Sequence, residues 1–421
     1  MREDFLHYLW KFKHLIIPGL STVDGRSIVI KNLGQHNYQS GPDFFNSRLV
    51  IGDQEWAGNV EMHLKSSDWY VHEHHKDPAY DNVILHVVWH HDKEVLLSSG
   101  DAIAVLEVNK IIPERTLNSY KKLFAVKAQQ FINCEQQINE VDPFKRELWF
   151  EKVFFERLIA KSKRINSTLE LNNNNWEAAF FQLLARSFGT RINADAFEQV
   201  ARSIPYPHLF KLSRDAFQLE STLLGQSGLL AGDFEDHFYR SCCREYAFAK
   251  AKYQLSPAHT PVKLFRLRPA NYPTIRLSQL AMLYQRSPRL FGEILLAQTK
   301  EEIYKLFDIQ SSTYWTTHHL FDQPVAVREK RLTSNFIDLI IINCIIPFQF
   351  QHAKTMGRDN SNEILALMSS LKAEKNTIVK GFQKLVTIPT ALESQAVLQL
   401  KPNYCDVNKC LSCDIGVDLL N

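Results

Sequence analysis

The spacing of apolar residues changes period near residue 112. Before that point apolar and polar positions alternate over short runs, and after it they recur every three or four residues. Residues 3–17 are the exception in the first part. Phe5, Leu6, Leu9, Phe12, Leu15 and Ile16 fall at helical spacing, and Pro18-Gly19 stops that helix. Residues 27–33 alternate weakly and predict a first strand. Residues 46–51 and the run ending in Glu61-Met62-His63-Leu64-Lys65 flank Gly52-Asp53, which predicts an antiparallel hairpin. Residues 66–81 are polar and helix-compatible up to about Tyr80, with a break near Pro78. Residues 83–89 read as a buried strand, and residues 95–108 as two shorter ones around Gly100-Asp101.

The second part is helical throughout. Residues 143–164 put Trp149, Phe150, Val153, Phe154, Leu158 and Ile159 on one side and Lys145, Arg146, Lys152, Arg157 and Lys161 on the other. Residues 172–175 form a polar connector, 176–188 predict another helix, and Pro205 and Pro207 break the chain. No internal repeat of fixed period is evident. The pattern predicts an α+β protein in three parts. Residues 1–112 form a mixed-sheet domain, residues 113–400 a mostly α-helical domain, and residues 401–421 a cysteine-rich tail.

Composition narrows this picture only a little. A chain of 421 residues can bury a sizeable core, and a net charge of +3 says little about partners. No run of 18 uncharged apolar residues occurs, and 336–348 is interrupted by Asp338, so no membrane partner is expected. The N-terminus lacks the basic-then-apolar order of a signal peptide. Seven cysteines, an odd number with Cys242 and Cys243 adjacent, suit a reducing, cytoplasmic setting.

The distribution of charge says more. Residues 246–292 contain eight basic residues and no acid, with Tyr253, Phe265, Tyr272 and Tyr284 interleaved. Such a stretch suits phosphates and unpaired bases, with Arg266, Arg268 and Arg276 as nucleic-acid-binding candidates. The equally weighted alternative is that these arginines pair with acids elsewhere in the chain.

Candidate chemistry concentrates between residues 36 and 91, where eight of the sixteen histidines fall. In an extended strand Glu61, His63 and Lys65 share one face, with Val60, Met62 and Leu64 on the other. An antiparallel hairpin carries Asp43 toward the end of the second strand. Asp43 and Glu61 then converge on one divalent ion, and oxygen ligands of this kind suit Mg²⁺ or Mn²⁺. His63 or Lys65 would orient water or neutralise developing charge, and a His63-based site would titrate near neutral pH. The competing reading is a solvent-facing strand, polar out and apolar in. His36 and Asn37 lie in a polar loop where they can reach a substrate or only water.

His72, His74, His75 and Asp77 raise a zinc-dependent hydrolase as a lesser alternative. His72 and His75 are spaced to meet over one helical turn, although exposed loop histidines are the commoner case. His86, in an apolar run, reads as a hydrogen-bonded core residue. The tail carries Cys405, Cys410 and Cys413, whose spacing suits a zinc ion or an iron–sulfur cluster. Cys134, Cys344 or a histidine such as His352 would supply the fourth ligand.

Pro42-Asp43 followed by Glu61-Met62-His63 resembles the PD-(D/E)XK phosphodiesterase superfamily over residues 1–110. That resemblance implies a restriction-endonuclease-like sheet and a metal-dependent nuclease acting on DNA or RNA, with catalytic Asp43, Glu61, His63 and Lys65. It also implies a role for an acid on the first helix, Glu3 or Asp4, although first-turn acids favoured by the helix dipole are commoner. His63 stands where the superfamily has lysine, and Lys65, two residues on, would be the displaced amine. Some nucleases of the superfamily hold an iron–sulfur cluster with one cysteine distant in sequence, the part Cys134 would play. A catalytically inactive nucleic-acid- or protein-binding scaffold on the same fold is the alternative. The whole chain also resembles an uncharacterised bacterial family, a domain of unknown function. That likeness lies in Gly58-Asn59-Val60-Glu61-Met62-His63, Ser67-Asp68-Trp69, residues 75–86, Leu267-Arg268-Pro269-Ala270-Asn271 and the cysteine-rich tail.

Overall fold

A computed structural model describes residues 1–125 and 130–420. The chain forms two compact units, residues 1–149 together with 401–421, and residues 150–400. The architecture is α+β, with an N-terminal mixed sheet followed by helices. The tail belongs to the sheet unit, which therefore extends past residue 112 and takes in the start of the long helix.

In the first unit, helix α1 (Asp4–Lys11) buries Phe5, Leu6, Tyr8, Leu9 and Trp10. It ends earlier than the apolar spacing predicts, because Lys13 turns left-handed at φ 65°. The sheet contains β1 (Ile28–Asn32), β2 (Gln35–His36), β3 (Phe44–Ile51), β4 (Gln54–Lys65), β5 (Val83–His90) and β6 (Val105–Glu107). Its order is β1-β3-β4-β5-β6, with β2 paired to β3. β1, β3 and β4 run antiparallel in turn, whereas β4, β5 and β6 are parallel. Gly52, at φ 63°, closes the predicted hairpin between the paired residues Ile51 and Gln54. At Gly58 a Cβ would run into Ile84 and the Asn82 carbonyl, so only glycine lets β4 approach the start of β5.

The two faces of β4 meet different environments. Val60 and Met62 pack with Leu49, Leu85, Val87 and Leu106 beneath Phe5, Leu6 and Leu9 of α1. Each such buried side chain contributes about 1.5–3 kcal/mol. The opposite face is covered by residues 66–82: helix α2 (Asp68–Val71) and two 3₁₀ turns, His74–Lys76 and Pro78–Tyr80. Trp69 and Tyr80 form a second small core there with Val83, Val95 and Ile103. The cover is latched at its start to residues 92–96. Ser66 and Ser67 bond Asp92, and Trp69 Nε1 donates to the Leu96 carbonyl. A face that alternation predicts to be wet is therefore closed over.

Helix α3 (Glu114–Phe124) adds Tyr120 and Leu123 to the larger core. The chain passes into the second unit within α4 (Pro143–Leu171), and the predicted helix at residues 176–188 is found as α5 (Trp176–Phe188). Asn173 and Asn174, both at positive φ, make the connector between them. In the second unit a buried acid, Glu198, gathers Arg164, Arg186 and Arg202. The helical segment Ser334–Thr355 is long and apolar enough to cross a membrane, but 67% of its most apolar window is buried inside the fold.

Candidate functional site

Asp43 stands where the chain enters β3, and Glu61 projects from β4 beside it. The Asp43 backbone N–H donates to Glu61 Oε2 at 3.1 Å, and Asp43 Oδ2 accepts from the Met62 N–H at 3.0 Å. The two acids, 18 residues apart in sequence, are thus locked side by side. A register shift in β3, with Asn46 at φ 58°, makes the geometry. The preceding loop is held by Asn37, whose side-chain amide donates to the carbonyls of Ser40 and Pro42. Asn37 is occupied in shaping the approach to Asp43.

Helix α1 brings two residues to the same place. His7 Nε2 lies 3.2 Å from Asp43 Oδ2. Burial alone would lower the His7 pKa, but the Asp43 carboxylate outweighs it and holds it above the ordinary value. Glu3 is pushed up to about 7, mainly by burial and then by the Asp43 charge. Glu61 is pushed up to about 9 by burial, with Asp43 again adding to the rise. Three acids crowd together and oppose one another's ionisation, which marks a place where a cation would be welcome.

The other side of Glu61 faces imidazoles. Its Oε1 is 3.6 Å from His63 Nε2 and 3.4 Å from His74 Nε2. His63 Nε2 is 3.0 Å from His72 Nδ1, and His63 Nδ1 is 2.8 Å from His86 Nε2. Between His72 and His74 the backbone turns left-handed at Glu73, φ 61°, which brings both rings to one side. A non-glycine residue there costs about 1–2 kcal/mol. Tyr80 stacks on His74 at 3.8 Å between ring centroids, and Trp69, fully buried, packs against His74 and His86. Burial and the neighbouring imidazoles pull His63 down to about 2 and His74 down to about 4. Both rings are therefore neutral at neutral pH, and the titration expected of a His63-based site moves far below it.

Several expected pairings are absent from the cluster. His72 meets His63 instead of His75. His75 turns to Tyr70, and Asp77 caps the second 3₁₀ turn through Ala79 N–H. Lys65 is exposed and its charge acts on Asp92. His86 is the hydrogen-bonded core residue its apolar run predicts, 0% exposed.

A family model described as "Protein of unknown function (DUF2851)" matches residues 3–377. The chain belongs to this family. No curated protein and no solved structure matches it. The DUF2851 match takes in every residue of the carboxylate and imidazole cluster, whereas residues 378–421, with the three tail cysteines, lie beyond it.

Those cysteines make a second pocket in the same unit. Cys134, Cys405, Cys410 and Cys413 line one cavity of ≈ 20 Å³, walled by Leu123, Asn133, Tyr404 and Gly416. Burial and mutual repulsion raise the thiols, Cys413 to about 12. Soft donors of this kind suit a thiophilic ion, but among the described residues only His63, His72 and His74 bring three ligand atoms within 4.8 Å of one another. Cys344 and His352, the other candidates for a fourth ligand, belong to the helical unit; Cys344 is buried there and His352 packs on Trp176.

The basic stretch of this DUF2851 chain divides in two. Arg266 and Arg268 are exposed, and a turn at Phe265-Arg266, with Arg266 at φ 60°, sets its guanidinium over the Phe265 ring. Arg276 is buried at 5% exposure, so it cannot meet a phosphate at the surface. Its guanidinium lies 3.5 Å over Phe336 and donates to Gln279 and Asn271. Arg286 caps the carbonyls of Lys305 and Asp308.

Proposed function

We propose that this protein is a metal-dependent phosphodiesterase acting on nucleic acid, with Asp43 and Glu61 as its central acids. The observation that carries the reading is the pair itself. Two carboxylates on adjacent strands are held together through the backbone N–H groups of Asp43 and Met62, largely buried, and crowded by Glu3. Asp43 opening one strand and Glu61 on the next is also the arrangement that the PD-(D/E)XK resemblance implies.

When bound, Mg²⁺ or Mn²⁺ supplies Lewis acidity toward a phosphoryl oxygen and makes a water nucleophilic. The chain's own residues do the rest. Asp43 and Glu61 hold the charge that keeps the cation in place. His7, whose proton affinity Asp43 raises, can hand a proton to the departing alkoxide as the phosphorus–oxygen bond breaks. His63, neutral and buried, acts as a ligand or a hydrogen-bond partner. In the helical unit, Phe265 is 75% exposed beside Arg266 and Arg268, a combination that suits a base and its phosphates.

The thiol pocket we read as a structural metal clip. A cavity of ≈ 20 Å³ holds about one water-sized body, which favours a single zinc ion over an iron–sulfur cluster.

One observation favours the inactive scaffold as a second reading: Lys65 is turned to solvent beside Asp92. The test uses the full chain with Mn²⁺ or Mg²⁺ on single- and double-stranded DNA and RNA. Cleavage lost in Asp43→Ala/Glu61→Ala, with binding retained, supports the enzyme. Wild-type protein that binds these substrates and cleaves none of them supports the scaffold.

A further inference from the structure

We infer that His63, His72 and His74, with Glu61 at their edge, form a site for a divalent first-row transition metal, separate from the thiol pocket and adjoining the Asp43 acid. One ring nitrogen from each of the three histidines lies within 4.8 Å of the others. The contacts are close to what one ion demands. Donors bonded at about 2.0–2.2 Å to a tetrahedral centre stand roughly 3.3–3.6 Å apart. Here His63 Nε2 to His72 Nδ1 is 3.0 Å, His74 Nε2 to Glu61 Oε1 is 3.4 Å, and His63 Nε2 to Glu61 Oε1 is 3.6 Å.

The surroundings are those of a ligand set. Metal-binding imidazoles take their orientation from a partner on the second ring nitrogen. His63 has one, because Nδ1 meets His86 Nε2 at 2.8 Å in a fully buried contact that aims Nε2 into the cluster. His74 is clamped between Tyr80 and Trp69.

Glu61 uses its two oxygens differently, Oε1 toward the imidazoles and Oε2 toward Asp43. It can therefore border two cations, one among nitrogens and one among carboxylates. Nitrogen donors select zinc, iron or cobalt over magnesium. The site stands on its own distances and does not require the phosphodiesterase reading.

The competing account is a plain hydrogen-bond chain, His86 to His63 to His72, with no ion. Cobalt separates the two. The full chain is stripped with chelator and titrated with Co²⁺, whose visible bands report nitrogen and oxygen ligands, whereas thiolate ligands add a near-ultraviolet charge-transfer band. Wild type should take up roughly one Co²⁺ per chain without thiolate character. His72→Ala and His74→Ala, both on the surface segment over the sheet, should weaken that uptake by more than the 10–100-fold that loss of an outer partner costs, about 100-fold or beyond. Any thiolate band should be unchanged, and His72→Ala, whose ring is exposed, should keep the melting of the metal-free wild type.

Identical Co²⁺ spectra and affinities in wild type and both variants would overturn the site, as would bands of thiolate character alone. A chain that cleaves with Mg²⁺ but takes no Co²⁺ at these residues loses this inference and keeps the proposed function. One that binds Co²⁺ here and cleaves nothing does the reverse.

Discussion

The sheet unit contains two clusters of ligand-type side chains, and they are built on opposite plans. The carboxylate and imidazole cluster draws on α1, the start of β3, the middle of β4 and the turns above it, all held by backbone hydrogen bonds and latches. Its members are in electrostatic conflict, and Glu73 between two of them is in a strained backbone conformation. The thiol pocket joins one residue of the middle chain to a short segment at the end of it, in a cavity of ≈ 20 Å³. Its donors are all alike, and the left-handed residue between Cys405 and Cys410 is Asn408, φ 54°, a residue type that tolerates that conformation better than a glutamate does. Conflict and strain accumulate where a structure is organised for chemistry, whereas uniform closed donor sets hold a fold together. The two should therefore fail differently: the thiol pocket in stability, the acid pocket in activity.

The largest effect is expected at the thiols. If an ion ties Cys134 to the tail, its binding free energy is folding free energy. Cys134→Ser or Cys413→Ser should then cost about 5 kcal/mol, a fall of roughly 10–20 °C in melting temperature for a unit of this size. Chelator should produce the same fall in wild type and none in the variants. Equal melting of all four samples would dissolve the comparison, because both clusters would then be without structural weight.

The acid pocket should show the converse. Glu61→Gln keeps the shape and the backbone acceptor but removes the charge that holds a cation. Cleavage should drop by about 10³-fold, which is about 4 kcal/mol of barrier, and melting should be unchanged or raised. A melting temperature that fell with activity would mean that Glu61 supports the fold and would erase the distinction.

The next effect depends on pH. The Glu61 carboxyl binds its proton more tightly folded than unfolded, with a pKa of about 9 against 4.5. Between those values the folded state holds more protons, so stability of the metal-free chain falls as pH rises. The slope for one group is at most about 1.4 kcal/mol per pH unit. Glu3, raised to about 7, adds to it over the lower part of the window. Urea titrations at pH 5, 7 and 8.5 measure the slope. It should shrink in Glu61→Gln and with saturating Mn²⁺ and should persist in Cys413→Ser. A flat profile in the wild type would mean that the acids are not in conflict.

How much of this was legible beforehand follows from the same physics. The β3–β4 hairpin could be read because Val60 and Met62 alternate with Glu61 and His63, and a period of two is what a strand displays. The burial of Glu61 and His63 could not be read. Alternation reports which residues share a face, and a polar face covered by a polar segment looks the same as one covered by water. His7 was hidden because α1 was read for its apolar side, though a histidine four residues after Glu3 was the available signal. His72 pairs with His63 because of a left-handed Glu73, and nothing in a glutamate announces that conformation. Cys134 could be named only as one of several partners for the tail, since thiol spacing has no meaning across 270 residues. Arg276 is buried, and a count of charges carries no information on burial.

The smallest predicted effect concerns Lys65. By alternation it belongs with Glu61 and His63, and the resemblance would have it supply the amine that steadies charge on the phosphate. If it does, Lys65→Ala should cost 10²-fold or more, as loss of a preorganised donor does. The geometry argues otherwise. Strand β4 ends at Lys65, whose N–H is already turning to bond Asp68 Oδ2 at 3.0 Å, and the side chain is exposed with its charge on Asp92. A charge in that position is screened by solvent and makes no close ion pair to lose. Lys65→Ala should then change cleavage by less than about threefold and melting by a degree or two, while His7→Ala, which removes the proposed proton donor beside Asp43, should cost about 10²-fold. The opposite ranking, with Lys65 essential and His7 dispensable, would mean that the end of β4 rearranges when substrate arrives. The acids would then be only half of the site.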